Sequence, residues 1–122
     1  MCPKEAGIFI ADDHRDFVEI LEELLEWSGH RVLVKAFTLD EALYEISQLT
    51  PDVQVALLDG NLNATKRDGL DGLMMVRAIH EYAPWVKTVG ISMSGKVEGV
   101  DINMPPTKIS ELGELEKIIN NL

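Results

Sequence analysis

Short apolar segments alternate along this chain with longer segments whose apolar residues recur at the helical period. This alternation limits the possible folds more than any other feature of the sequence. The apolar segments predict five strands, GIFIA (7–11), RVLVKAF (31–37), VQVALLD (53–59), VKTVGIS (86–92) and VDIN (100–103). The helical patterns run over 17–27, from a capping box of Thr38 and Glu41 through 49, over 73–80, and from Ser110 to 122. Strands that alternate with helices predict a parallel sheet covered on both faces.

The length of 122 residues suits a single domain spanning 1–122. Right-handed crossovers leave few topologies for five parallel strands. The expected fold class is therefore α/β, a flavodoxin-like three-layer sandwich with a five-stranded parallel sheet in the order 2-1-3-4-5. In that order the ligand crevice lies at the carboxyl ends of strands 1 and 3.

Carboxylates follow the two strands that border this crevice. The segment FIADDH (9–14) ends strand 1 with Asp12 and Asp13, and Asp59 ends strand 3. Three clustered negative charges need compensation, and carboxylate oxygens suit Mg²⁺, which often binds beside phosphate. Asp59 beside a metal could act as a nucleophile toward a phosphoryl group. A solvated turn or helix cap is the alternative for Asp12 and Asp13, and for His14 both crevice contact and an exposed cap stay open.

The segments FIADDH and LLDGN, together with the helix pattern, resemble the receiver domain of two-component response regulators, the CheY-like fold. The resemblance implies that Asp59 is the phosphoacceptor. It implies that Asp12, Asp13 and Asp59 hold Mg²⁺ together with the backbone carbonyl of Asn61. It also implies that the hydroxyl of Ser92 contacts the phosphoryl group.

Three departures from the family pattern lie in the later part of the chain. The loop between Asp59 and Asp71 is long. Its Lys66 and Arg67 are expected at a solvated tip, and contact with a phosphoryl group or a partner is the alternative. Residues 93–99 are too few for a crossover helix, which normally needs about a dozen residues, so the fourth helix is expected to be truncated or absent. Met104 stands where the family has a lysine, and Asp101 stands where an aromatic switch residue is common.

The resemblance implies a phosphoacceptor receiver domain, a signalling domain rather than a turnover enzyme. Its expected partners are a histidine kinase or phosphotransfer protein and an output protein of unknown identity. One alternative is a pseudo-receiver, which uses the same fold as a phosphorylation-independent interaction module. Another is a magnesium-dependent phosphatase, which the lack of a substrate-binding cap disfavours.

Charge and hydropathy narrow the setting. Eleven Lys and Arg stand against twenty-one Asp and Glu, for a formal charge of −10, which opposes direct nucleic-acid binding. No apolar run reaches the roughly 18 residues that a membrane span needs, and the first residues, MCPKEAG, do not resemble a secretory signal. Cys2 is the only cysteine, which excludes an internal disulfide and fits a reducing compartment. A cytoplasmic location is therefore expected.

Overall fold

A computed structural model describes residues 6–62, 69–91, 96–104 and 117. In chain order its elements are β1 (Gly7–Ala11), α1 (Arg15–Trp27), β2 (Arg31–Ala36), α2 (Leu39–Ser47), β3 (Val53–Leu58), α3 (Leu70–Tyr82), β4 (Lys87–Gly90) and β5 (Ile102–Asn103). The five strands form one sheet in the order β2-β1-β3-β4-β5, and every neighbouring pair is parallel. The predicted fold class and strand order are confirmed.

The central strand β1 explains why the first apolar run has no polar interruption. All five of its residues are buried, because helices cover the sheet on both sides. Ile8 and Ile10 pack with the buried face of α1, whereas Phe9 and Ala11 pack with the buried residues of α2 and α3. The alternation of side chains along the strand thus supplies both halves of the core.

The ends of the helices follow local signals in the sequence. At the start of α2, the Glu41 amide donates to Thr38 Oγ1 at 3.1 Å, and the Phe37 amide donates to Glu41 Oε1 at 2.9 Å. This is a capping box in which Glu41 reaches one residue beyond the cap. Helix α1 ends at Trp27, and Gly29 then adopts a positive φ of 96° as the chain turns into β2.

Most predicted boundaries differ from the observed ones by a residue or two. Strand β3 ends at Leu58, so Asp59 is the first residue after it, and helix α1 begins at Arg15 rather than at 17. The last strand is short, since β5 comprises only Ile102–Asn103. Residues 96–101 contain no helix, and residues 92–95 lie outside the described residues. So does the predicted helix from Ser110, apart from Lys117, which is helical.

In the part of the chain that the structure describes, none of the helices has both the length and the apolar character to cross a membrane.

Candidate functional site

The acidic cluster, defined as Asp12, Asp13 and Asp59, lies at the carboxyl ends of β1 and β3. These strands are neighbours, and their last residues, Ala11 and Leu58, are register partners. The Asp59 amide donates to the Ala11 carbonyl at 2.9 Å, which fixes the backbone of Asp59 beside the start of the β1–α1 loop. One carboxylate oxygen of each residue and one ring nitrogen of His14 all lie within 4.8 Å of one another. The predicted convergence of the three carboxylates is thus found in the structure.

His14 joins the cluster through its side chain. It occupies the N-cap position of α1, yet its side chain makes no capping hydrogen bond. Its Nδ1 lies 2.9 Å from Asp12 Oδ1 and 3.1 Å from Asp13 Oδ1, and its backbone amide donates to Asp12 Oδ1 at 2.8 Å. The crevice contact is therefore found, whereas His14 starts the helix only through its backbone, whose carbonyl accepts from the Val18 amide.

The cluster shifts the proton affinity of its members. Burial raises the pKa of the Asp12 carboxyl, although the hydrogen bonds from His14 lower it in part. The hydrogen bond to Asp12 raises the pKa of the His14 imidazole, and the charges of Asp13 and Asp59 add to this effect. Both shifts favour the protonated form of the side chain concerned, which carries less negative or more positive charge in the cluster.

Asp13 offers the clearest position for a cation. Its Oδ1 is buried and has no hydrogen-bond partner among the described residues. The contact with His14 Nδ1 is short enough for an ion pair, but it lacks the geometry of a hydrogen bond. A buried carboxylate oxygen without a hydrogen bond is costly, and a hard divalent cation would satisfy it. The donor set, three carboxylates at one crevice, is one that suits Mg²⁺.

Polar contacts close the loop that follows Asp59 onto the start of α3. The Gly72 amide donates to the Gly60 carbonyl at 2.9 Å, the Leu62 amide donates to Asp71 Oδ2 at 2.9 Å, and the Gly69 amide donates to Asn61 Oδ1 at 2.9 Å. The side chain of Asn61 therefore binds the backbone at the start of α3. Metal binding through the Asn61 backbone carbonyl stays a prediction. The loop tip with Lys66 and Arg67 lies outside the described residues.

The structure shows the surroundings of Met104 and Asp101, the two residues that depart from the family pattern near β5. Met104 directly follows β5 and is 2% exposed, packed in the apolar cluster on the α1 side of the sheet. Asp101 accepts hydrogen bonds from the backbone and the hydroxyl of Thr88 through Oδ2, at 2.8 and 3.1 Å, so it fastens β5 to β4. Ser92, the predicted phosphoryl-contacting hydroxyl, lies outside the described residues.

A comparison with models of protein families identifies one family. The model of a family described as the response regulator receiver domain matches residues 8–107. A comparison with curated proteins finds no match.

Several solved structures share the fold. A response regulator receiver domain protein from Clostridium thermocellum is 23% identical, with 95% of this chain and 92% of that chain covered and a TM-score of 0.76. A CheY-like receiver domain protein from Methanospirillum hungatei JF-1 is 20% identical, with 96% and 95% covered and a TM-score of 0.69. The receiver domain of a sensor histidine kinase from Pseudomonas aeruginosa PAO1 is 18% identical, with 96% of each chain covered and a TM-score of 0.76. That last protein is described with a magnesium ion coordinated in its active-site cleft.

Proposed function

Because the chain belongs to the response regulator receiver domain family, we propose that it accepts a phosphoryl group on Asp59 with Mg²⁺ bound and signals through protein partners. The donor would be a histidine kinase or a phosphotransfer protein, and the output partner is unknown. The family consists of signalling domains of two-component systems. The finer assignment depends on the residues of this chain.

The convergence of Asp12, Asp13 and Asp59 carries the proposal. Asp12 and Asp59 are buried, with 2% and 7% of their surfaces exposed, so their charges repel through a medium that screens them less than water does. A fold gains nothing in stability from such a grouping. The grouping is, however, what a site needs if it is to hold a cation beside a phosphoryl group.

The proposed step is an in-line transfer. A carboxylate oxygen of Asp59 attacks phosphorus, and a new P–O bond forms while the bond from phosphorus to the donor breaks. The electron pair of that bond leaves with the donor, on an imidazole nitrogen of phosphohistidine or on a carboxylate oxygen of a small acyl phosphate. Asp59 becomes an acyl phosphate, and Ser92, assigned on the family resemblance alone, would contact the phosphoryl oxygens.

The residues that would hold Mg²⁺ are Asp12, Asp13 and Asp59, with the backbone carbonyl of Asn61. Bound there, the ion would neutralise charge on the phosphoryl oxygens and on the carboxylates. Asp13 Oδ1 supports this assignment, because it is buried and lacks a hydrogen bond among the described residues. The relative from Pseudomonas aeruginosa, which is described with magnesium in its cleft, has the same fold.

The pseudo-receiver is the second candidate, and Met104 favours it. The resemblance places a lysine at this position, where its ammonium group would pair with a phosphoryl oxygen. The Met104 side chain is buried among apolar residues and offers no such charge. In that case the fold would bind its partners whether or not a phosphoryl group is present.

Intact mass spectrometry separates the two candidates. The protein is incubated with Mg²⁺ and a small acyl phosphate, and we expect the mass of one added phosphoryl group, removable by hydroxylamine because acyl phosphates react with it. The Asp59→Asn variant should gain none. Asp52→Asn, an exposed carboxylate before β3, is the matched control and should behave like the wild type. No added mass in the wild type, or equal addition in Asp59→Asn, would contradict phosphoacceptance at Asp59.

A further inference from the structure

The strap, defined as residues 96–100, replaces a helix in the described part of the connection between β4 and β5. One side chain fastens it. Asn103 Oδ1 accepts from the Val97 amide at 2.8 Å, and Asn103 Nδ2 donates to the Val97 carbonyl at 3.2 Å. Both backbone polar groups of Val97 are thus satisfied by one amide side chain, as they would be in a regular element.

The Val97 side chain points into the fold from this fastened position. It is 2% exposed and belongs to the core cluster on the side of α2 and α3. A Cβ atom at Gly72 would lie 2.8 Å from Val97 Cγ1, and one at Gly90 would lie 3.0 Å from Val97 Cβ and Cγ2. Contacts this close mean that Val97 fills a notch that exists only because both residues are glycines.

The notch adjoins the acidic cluster. The same Cβ atom at Gly72 would meet Gly60 Cα at 2.9 Å and the Asp59 carbonyl oxygen at 3.4 Å. The Gly72 amide also donates to the Gly60 carbonyl. A continuous line of contacts therefore runs from Asn103 through Val97 and Gly72 to the backbone that carries Asp59.

We propose that Asn103 is a positioning residue for the acidic cluster. It holds Val97 in the notch, and Val97 in turn holds Gly72 against Gly60, so that the Asp59 carboxylate stays in reach of Asp12 and Asp13. The strap thereby couples the cluster to the connection between β4 and β5 without a helix. Only the expected effect on Mg²⁺ affinity rests on the proposed function. The contacts from Asn103 through Val97 to Gly72 exist without a ligand.

Amide hydrogen exchange of the metal-free protein tests the coupling. In Asn103→Ala, the Val97 amide loses its acceptor and must exchange faster, which shows only that the strap is loose. The informative amides are Gly72 and Leu62, whose acceptors remain in place. We expect both to exchange about five- to tenfold faster, while the amides of β1 keep their wild-type rates.

Two further variants make the test specific. Val97→Ala removes both γ-methyl groups from the notch, including the Cγ1 that faces Gly72, and keeps the backbone hydrogen bonds of residue 97, so it should accelerate exchange of the Gly72 and Leu62 amides in the same way. If Asn103→Ala does not fold, Val97→Ala still tests the line of contacts from the strap to Gly72, without which the proposal fails. Asp101→Ala is the matched control, because it breaks hydrogen bonds to Thr88 between the same two strands but outside the line of contacts. Asp101→Ala should leave the exchange rates of the Gly72 and Leu62 amides unchanged relative to those of β1.

A magnesium titration supplies the second measurement. We expect the Kd for Mg²⁺ to rise about threefold or more in Asn103→Ala and Val97→Ala, and to keep its wild-type value in Asp101→Ala. The proposal would be overturned if the Gly72 and Leu62 amides kept their wild-type exchange rates in Asn103→Ala or in Val97→Ala, or if Asp101→Ala accelerated them equally. A wild-type protein that does not bind magnesium would contradict the proposed function instead. The exchange comparison, made without metal, would still decide on the strap.

Discussion

His14 links the pH of the solution to the stability of the metal-free protein. Its imidazole faces Asp12, Asp13 and Asp59, and its pKa is raised above the ordinary value of 6.5. The folded state therefore binds more protons than the unfolded state between pH 6.5 and the raised value, so stability falls as pH rises through that window. Thermal melts in a chelator across this range should show the decline, and His14→Ala should flatten it. The effect should be small, because the His14 side chain is 68% exposed.

Asp59 is expected to cost stability in the absence of metal. Unit charges about 4 Å apart interact by about 4 kcal/mol at an effective dielectric of 20, and solvent reduces this severalfold. Asp59→Asn should therefore raise the free energy of unfolding of the metal-free protein by about 1 kcal/mol, or its melting temperature by about 4 °C. Urea unfolding at neutral pH in a chelator measures this. A lower stability of the variant would mean that Asp59 serves the fold more than a ligand.

The sequence predicted the residues of the cluster better than their contacts. Asp12, Asp13 and Asp59 were predictable, since each follows a recognisable buried strand and the strand order places those ends together. The hydrogen bond from His14 to Asp12 was not, because it depends on the rotamer of an exposed side chain. The contact of the Asn61 side chain with the Gly69 amide was equally hidden, since it joins residues eight apart in the sequence.

At the scale of elements, Gly69 controls how α3 begins. It has a positive φ of 76° at the N-cap, and a Cβ there would meet no atom of the described residues within 4 Å, so the cost that we expect for a side chain comes from the backbone. Gly69→Ala should destabilise the protein by about 1 kcal/mol. Gly69→Asn, which tolerates the left-handed region better, should cost less. Equal costs for both in urea unfolding would argue that the change acts through the Asn61 contact instead.

The elements themselves followed from the periodicity of the sequence, and their ends did so less well. Thr38 and Glu41 were predicted to start α2, and both make capping hydrogen bonds. The strap could not be foreseen, although the shortness of its segment was clear. Its position depends on Asn103, a side chain that replaces the backbone partner of Val97, and no periodic pattern reports such a contact.

At the scale of the whole molecule, the strand order explains why acidic residues far apart in sequence lie together. If these residues bind a metal ion, the ion should raise the stability of the whole fold. A ligand that binds only the folded state stabilises it by RT ln(1 + [L]/Kd), or about 1.4 kcal/mol at ten times Kd. We expect Mg²⁺ at about ten times a millimolar or sub-millimolar Kd to raise the wild-type melting temperature accordingly. Thermal unfolding is a better readout of binding than the fluorescence of Trp85. The indole of Trp85 donates to the Val53 carbonyl at the start of β3, at the opposite end of the strand from Asp59.

Two variants assign that gain to the cluster. Asp13→Ala removes the buried Oδ1, which has no hydrogen-bond partner in the described part of the chain, so the melting temperature of this variant should no longer respond to Mg²⁺. Asp16→Ala, an exposed carboxylate in the first turn of α1 and outside the cluster, should respond as the wild type does. If Mg²⁺ raised the melting temperature of both variants equally, the ion would bind elsewhere on this acidic surface. High salt would screen that attraction and abolish the rise. Repeating the titration in high salt then separates a built site, whose buried ligands salt screens little, from diffuse attraction to a protein of charge −10.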